Sequence, residues 1–176
     1  MACEGINSNH YIESCLSLIS GVRKLHVVAY NQLSATTWTY DAEGRITGST
    51  TSPSYYTIDL PTGLASFDEV GTFAANGYFK TITHSCEVVL LGQSQKNRNL
   101  ANKLINGQWS MLVTLESGEL VALGLNKPLV SVELNANPGV GDAEENAIRV
   151  KLSSKSGELM KLIDPNGTYT NPLFAA

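Results

Sequence analysis

The chain has 176 residues, of which 43% are hydrophobic and only 16% are charged, and its net charge is −4. This length suits one domain with a full hydrophobic core. The negative charge and the absence of any run of Lys and Arg argue against strong nucleic-acid binding. Ser, Thr and Asn number 17, 14 and 14, so neutral polar groups replace much of the usual charged surface, as suits contact with other protein.

The sequence also argues against membrane insertion and secretion. The apolar run Leu25–Tyr30 is far shorter than the ~20 residues that a bilayer-spanning helix needs. Met1–His10 carries Glu4 and no Lys or Arg, unlike the positively charged start of a signal peptide. The three cysteines match neither a disulfide framework nor a zinc pattern. We therefore expect a cytosolic chain with reduced thiols at Cys3, Cys15 and Cys86.

Alternating apolar residues and turn residues predict a series of short strands. Asp41–Gly44 ends in a glycine and predicts a turn between two arms of a hairpin. Asn76-Gly77 predicts a second hairpin, because both residues tolerate a positive φ. Asp164–Gly167 is expected to end the last strand. The predicted strands are Leu25–Tyr30, Arg45–Ser49, Tyr55–Leu60, Leu64–Phe73, Tyr78–Leu91, Trp109–Leu115, Leu120–Leu123, Val130–Leu134 and Ala147–Leu152, and Glu158–Ile163 is predicted as a last short strand or turn.

One helix is predicted, over Gln93–Asn106. Ser94 can cap its first turn, and Leu100 and Leu104 begin an apolar stripe along it. Gly107 stands where a left-handed residue commonly ends a helix. Many strands with one helix predict a mainly β fold, an antiparallel β-sandwich or barrel with one flanking α-helix.

The same patterns predict three regions along the chain. The central one is a single β-sandwich or barrel domain that includes the helix at about residues 94–106. An N-terminal arm precedes it, and a C-terminal tail follows it. The predicted bounds are Met1–Gly21, Val22–Ile163 and Asp164–Ala176.

Residues that could support catalysis or metal binding are few. The chain holds no nucleophile elbow, phosphate-binding loop or zinc-protease motif. His26 and His84 fall in predicted strands, where a structural role is favoured over membership of a Ser, His and Asp triad. Asp68 and Glu69 are expected on opposite faces of a strand, unlike a glycosidase pair. We therefore predict no catalytic residue, no cofactor and no metal site.

Two further clusters remain open to a binding role. The acidic loop with Asp142, Glu144 and Glu145 lacks the ligand spacing of a calcium-binding loop. Trp38 and Trp109, with Tyr55 and Tyr56, could form a platform that stacks on sugars, although core or contact positions are favoured for them. A carbohydrate-binding β-sandwich is therefore an alternative, and a small hydrolase is a less favoured one.

An ordered set of segments resembles small tail proteins of bacteriophages that infect gut Bacteroidetes, which look like the tail tube family. The segments are a short Cys-containing N-terminus, the strand at Leu25–Tyr30, an Asn76-Gly77 turn before a long strand, and a helix followed by a hairpin. The remaining motifs are Leu64–Glu69, Asn97-Arg98-Asn99, Leu123-Gly124 and the loop Gly139–Gly141.

The resemblance implies a β-sandwich or barrel whose copies associate into rings, usually of six, that stack into a tube. Genomic DNA would pass through the lumen without specific binding. The lumen wall would be one continuous sheet, and a hairpin and the terminal arms would join successive rings and neighbouring tail or connector proteins. The expected location is the virion tail, assembled in the bacterial cytoplasm. The candidate contact residues are Asp41, Ala42, Glu43, Gly44, Arg45, Ile46, Leu162, Tyr169, Leu173 and Phe174.

The sequence departs from that pattern by a longer N-terminal segment, His10–Gly21, and by the extended tail Thr168–Ala176. Other virion positions therefore stay open: a head-to-tail connector, a tail terminator or completion ring, a short-tail hub, or a capsid decoration protein.

Overall fold

The part of the chain that the structure describes is mainly β, with two sheets and two helices. A computed structural model describes residues 21–34, 36–50, 54–59, 64–73, 80–138 and 146–169. The strands are β1 (Val22–Ala29), β2 (Trp38–Tyr40), β3 (Ile46–Ser49), β4 (Tyr55–Asp59), β5 (Ala65–Phe73), β6 (Lys80–Leu91), β7 (Trp109–Leu115), β8 (Leu120–Leu123), β9 (Val130–Asn137), β10 (Ala147–Ser156) and β11 (Lys161–Tyr169). The helices are α1 (Tyr30–Ser34) and α2 (Gln95–Ile105).

The strands form a seven-stranded sheet in the order β2-β3-β11-β8-β7-β1-β4 and a four-stranded sheet in the order β5-β6-β10-β9. Residues from both sheets and from α2 share one large core, which includes Leu25, Val88, Leu104 and Val150. This arrangement confirms the predicted β-sandwich with a flanking helix. All strand pairs are antiparallel except β3 and β11, which run parallel.

The seven-stranded sheet is buried on both faces over part of its area. A second apolar cluster contains Ile46, Leu112 and Ala122, whereas the neighbours Val113 and Val121 belong to the main core. Consecutive side chains in a strand point to opposite faces, so the second cluster lies on the far face. In β1, His26 and Val28 are buried together with Leu25 and Val27. Strand β1 is therefore buried on both of its faces.

Helix α2 begins and ends close to its predicted bounds. The role of Gly107 after its last residue, however, differs from the prediction. The Ser94 side chain accepts a hydrogen bond from the Asn97 amide at 3.2 Å, which confirms the predicted cap. Gly107 is not among the glycines with positive φ. A Cβ atom there would lie 2.3 Å from the ring of Trp109, so close packing and not a left-handed turn requires glycine.

The C-terminal strand continues beyond its predicted end. Strand β11 runs through Asp164–Gly167 to Tyr169 and pairs with β3 on both sides of that segment. The register shifts between Ile163 and Thr168, and the Asn166 amide donates to the Asp164 carboxylate at 2.9 Å. The turn-forming residues thus make an irregularity within the strand, because the backbone on either side still finds a strand partner.

Candidate assembly interface

The predicted contact hairpin is present and is locally well ordered by hydrogen bonds. Oδ1 of Asp41 accepts from the amides of Glu43 at 3.0 Å and Arg45 at 2.8 Å. Gly44 has φ +84°, a conformation that side-chain-bearing residues rarely adopt. The tip residues Asp41, Ala42 and Glu43 are exposed. The hairpin therefore presents a compact, polar tip to solvent.

Ile46 does not belong to that exposed tip. Its side chain is fully buried and packs in the second apolar cluster with Leu112 and Ile163. It anchors the hairpin to the sheet, so the expectation that it contacts a neighbouring subunit is corrected. Sequence alone could not separate it from Arg45, because the two residues are adjacent and only the pairing register decides which side chain turns inward.

The structure brings the hairpin and the C-terminal strand together. Strand β11 lies beside β3, with Ile163 opposite Ile46 and Tyr169 opposite Ser49. Leu162 is 41% exposed and belongs to the same strand. Two of the predicted contact segments therefore form one edge region of the seven-stranded sheet. Leu173 and Phe174, and the N-terminal arm Met1–Gly21 except for Gly21, lie outside the described residues.

Two further surfaces were not singled out by the sequence. Strands β5 and β9 form the two edges of the four-stranded sheet, and in the described part of the chain each has a strand neighbour on one side only. Both carry large exposed apolar side chains: Val70 and Phe73 on β5, and Val130, Val132 and Leu134 on β9. The Val-x-Val-x-Leu pattern of β9 was visible in the sequence, but alternation normally indicates a buried face.

The middle of the outer face of the four-stranded sheet is polar, whereas Val70 and Val130, opposite Thr83 and Ser153, add apolar side chains along its two edges. Cys86, Val88, Val150 and Leu152 are completely buried, so the alternate residues of β6 and β10 point away from the core. Charged groups on this face are balanced in sign: Asp68, Glu87 and Glu133 against Arg149, Lys151 and Lys155. Arg149 Nη1 lies 3.1 Å from Glu87 Oε1, and Ser85 Oγ donates to Asp68 Oδ2 at 2.8 Å.

Of the two histidines in described strands, His84 has neighbours that more closely resemble a catalytic triad, namely a carboxylate and a serine. Glu69 and Ser154 are its partners across β5 and β10, and His84 and Ser154 line a cleft of about 360 Å³. Nε2 of His84 lies 2.9 Å from the Glu158 carbonyl oxygen and 3.3 Å from Glu69 Oε1. Ser154, however, donates its hydroxyl proton to the carbonyl of Lys127 at 3.0 Å. The serine is thus hydrogen-bonded as a structural residue and not as a nucleophile activated by histidine.

The remaining candidate residues also make structural contacts. His26 Nδ1 lies 3.0 Å from Thr57 Oγ1, and its ring meets the edge of Tyr55. Tyr55 and Tyr56 are consecutive strand residues on opposite faces, so they do not form one sugar-stacking platform. Trp109 Nε1 donates to the Leu104 carbonyl at 2.8 Å, so this carbonyl in the last turn of α2 has a hydrogen-bond donor. His10, the acidic loop residues 142–145 and the Asn76-Gly77 turn lie outside the described residues.

Cys86 is a buried thiol in the main core. Burial raises its pKa from 9.0 to about 12, with smaller contributions from the negative charges of Asp68 and Glu87. A thiol with such a pKa stays protonated at neutral pH, so it is a poor nucleophile and a poor metal ligand.

No family model matches the chain, and no curated protein matches it significantly. In the described ranges no three His, Cys, Asp or Glu side chains group as metal ligands would. Among the residues whose positions the structure describes, no helix reaches the length and apolarity needed to cross a bilayer.

Proposed function

We propose that this protein is a structural subunit of a bacteriophage tail, a tail tube protein whose rings stack around a channel for DNA. The observation that supports this best is the open four-stranded sheet, β5-β6-β10-β9, with exposed apolar residues at both edges. Open edges of this kind invite pairing with another chain, and closure with neighbouring copies removes them.

Strand direction is compatible with a closed ring. All three pairs within this sheet are antiparallel, so β5 and β9 at its two edges also run in opposite directions. Rotation about a ring axis brings β9 of one copy beside β5 of the next, and those two strands are then antiparallel. The edges match in length, with nine residues in β5 and eight in β9. A ring of copies can therefore continue the sheet without a change of pairing type.

The outer face of that sheet suits a channel for DNA. Its carboxylates and cations are equal in number, and Ser and Thr side chains such as Thr83 and Ser153 lie between them. Affinity for phosphates grows with the number of Lys and Arg contacts that the polymer makes. A wall without an excess of cations would let DNA pass without being held, and this agrees with the net charge of −4.

The hairpin tip Asp41–Arg45 and strand β11 are proposed as contacts between successive rings, together with the terminal arms. Their adjacency in the seven-stranded sheet supports one shared contact region. Partners would be copies of this chain and neighbouring tail or connector proteins, in the virion tail. A connector, terminator or completion ring, short-tail hub or decoration protein could use the same surfaces, but such rings would not stack into long tubes.

The proposal is tested by negative-stain electron microscopy of the purified chain, with light scattering over a concentration series. Rings or striated tubes with a central channel support it. Single rings that never stack point to a connector or terminator instead. A monomer at every concentration, with tryptophan fluorescence that responds to glycans, would favour the carbohydrate-binding alternative.

A further inference from the structure

A large apolar groove lies beneath helix α2. It has a volume of about 910 Å³. Its lining side chains come from β1, β4, β6 and α2 and include Val27, Ile58, Leu64, Leu90, Leu100 and Leu104. At its rim Tyr56 is 61% exposed and Leu91 is 52% exposed. Apolar surface gathered in this way marks a binding site for another apolar group.

The charges at the rim of the groove have one sign. Lys96 and Lys103 line it, and none of the described lining residues carries a carboxylate. The Lys103 ammonium lies 5.5 Å from the centre of the Tyr56 ring, which places its positive charge at the rim of the groove. The groove is therefore suited to an occupant that is apolar and carries negative charge.

Residues 1–20 of this chain have that composition. They include Tyr11, Ile12, Leu16, Leu18 and Ile19, two glutamates and no Lys or Arg. The segment joins the described structure at Gly21, directly before β1. In β1 Leu25 stands opposite Ile58 of the groove, and four residues of strand span about 13 Å. A chain of 20 residues spans up to about 66 Å, so the segment can reach and fill the groove.

We propose that, in the unassembled subunit, residues 1–20 bind in the groove beneath α2 of the same chain. A tethered segment meets its own groove at a millimolar effective concentration, which favours this contact over a neighbouring copy in dilute solution. The apolar residues of the segment complement the groove floor in chemistry, and the negative charges of its two glutamates complement Lys96 and Lys103. The proposal concerns the separate chain and holds whether or not the chain forms tubes.

Disulfide trapping tests this in the full chain, because the segment already contains Cys15. In a Cys3→Ser background we would introduce Leu91→Cys at the groove rim, and separately Tyr56→Cys as a second position. Leu159→Cys is the matched control, because Leu159 is 62% exposed and lines the other cleft. Oxidation is performed at low protein concentration, with circular dichroism confirming that each variant is folded. Intact mass and peptide mapping then identify the linked cysteines.

The expected result is an intramolecular Cys15 disulfide that forms at least fivefold faster in both groove variants than in the control. Adding Lys96→Glu and Lys103→Glu should slow it severalfold, and adding Glu4→Lys and Glu13→Lys as well should restore it. Rates equal to the control would overturn the proposal. Covalent dimers at low concentration would also overturn it, by assigning the groove to the segment of a neighbouring copy.

Discussion

Oε1 of Glu69 accepts the Met160 amide at 2.6 Å and lies 3.3 Å from Nε2 of His84, which is itself 2.9 Å from the Glu158 carbonyl. Glu69 and His84 are neighbours across β5 and β6, whereas residues 157–160 connect β10 to β11. The two side chains therefore tie the four-stranded sheet to the connection that leads to the seven-stranded sheet.

Replacing Glu69 with Ala should destabilise the protein. The Met160 amide loses its acceptor and the nearly buried His84 loses its carboxylate partner, so we expect a loss of about 1–3 kcal/mol in the free energy of unfolding. Urea denaturation monitored by circular dichroism measures it. Glu158→Ala is the control, because its exposed carboxylate forms a surface pair with Lys161 and such pairs contribute less than about 1 kcal/mol. Equal losses in both variants would contradict this role of Glu69.

Gly107→Ala should also destabilise the fold. The added Cβ would lie 2.3 Å from Trp109, whose indole is fixed by its hydrogen bond to Leu104. Overpacking of this kind costs about 1–3 kcal/mol, which thermal unfolding detects as a lower midpoint. Gly157→Ala is the matched control, since no atom lies within 4 Å of its added Cβ. An unchanged midpoint for Gly107→Ala would show that Trp109 is free to move away.

Cys86 should resist alkylation in the folded protein. A pKa of about 12, instead of 9.0, leaves roughly a thousandth of the thiolate that an ordinary cysteine has below pH 9. The native thiol is therefore expected to react at least 100-fold more slowly with iodoacetamide at pH 8 than after denaturation. A Cys3→Ser, Cys15→Ser variant isolates its signal in mass spectrometry. Rapid labelling of the native protein would contradict the buried position.

The raised pKa of Cys86 also determines how the stability of the protein changes with pH. Above pH 9 the unfolded state releases the Cys86 proton while the folded state keeps it until about pH 12. The contribution of this thiol to stability is thus constant below pH 9 and falls by up to about 1.4 kcal/mol per pH unit above it. The difference in unfolding free energy between the unchanged chain and a Cys86→Ala variant should therefore become smaller as the pH rises above 9.

The hairpin tip should be dispensable for folding and required for stacking. Replacing Ala42–Arg45 with a Gly-Ser linker removes exposed or half-buried side chains and leaves Ile46 in the core. We expect a thermal midpoint within a few degrees of the original and shorter or absent tubes in electron micrographs. Tubes of normal length would mean that another loop joins successive rings. A collapse in stability would make the tip part of the fold.

Much of the strand framework could be predicted from local sequence. Strands β7 and β8 match their predicted bounds, because the Glu116–Glu119 turn interrupts a regular alternation. The hairpin of β2 and β3 was found for a similar reason. Local sequence did not predict the end of the last strand. The turn-forming residues Asp164–Gly167 indicate a strand end, but the strand continues beyond them because it pairs there with β3.

The contact surfaces were only partly predictable. Ile46 and Arg45 are adjacent in sequence. Which of the two side chains is buried depends on the pairing of β3 with β11, a strand more than 110 residues away in the chain. The exposed edges β5 and β9 depend on strand order, which no local pattern encodes. Alternation in Val130–Leu134 indicates a strand but not that the strand lies at an edge.

Cross-linking between β5 and β9 of different copies tests the central claim most directly. Val70→Cys and Val132→Cys, both replacing side chains that are 58% exposed, would be combined in a Cys3→Ser, Cys15→Ser background and treated with a short bismaleimide. If neighbouring four-stranded sheets join edge to edge, the double variant gives a ladder of covalent oligomers on a denaturing gel that ends at the ring size. Each single variant gives no ladder. A double variant that stays monomeric at concentrations where assemblies are visible would contradict the account.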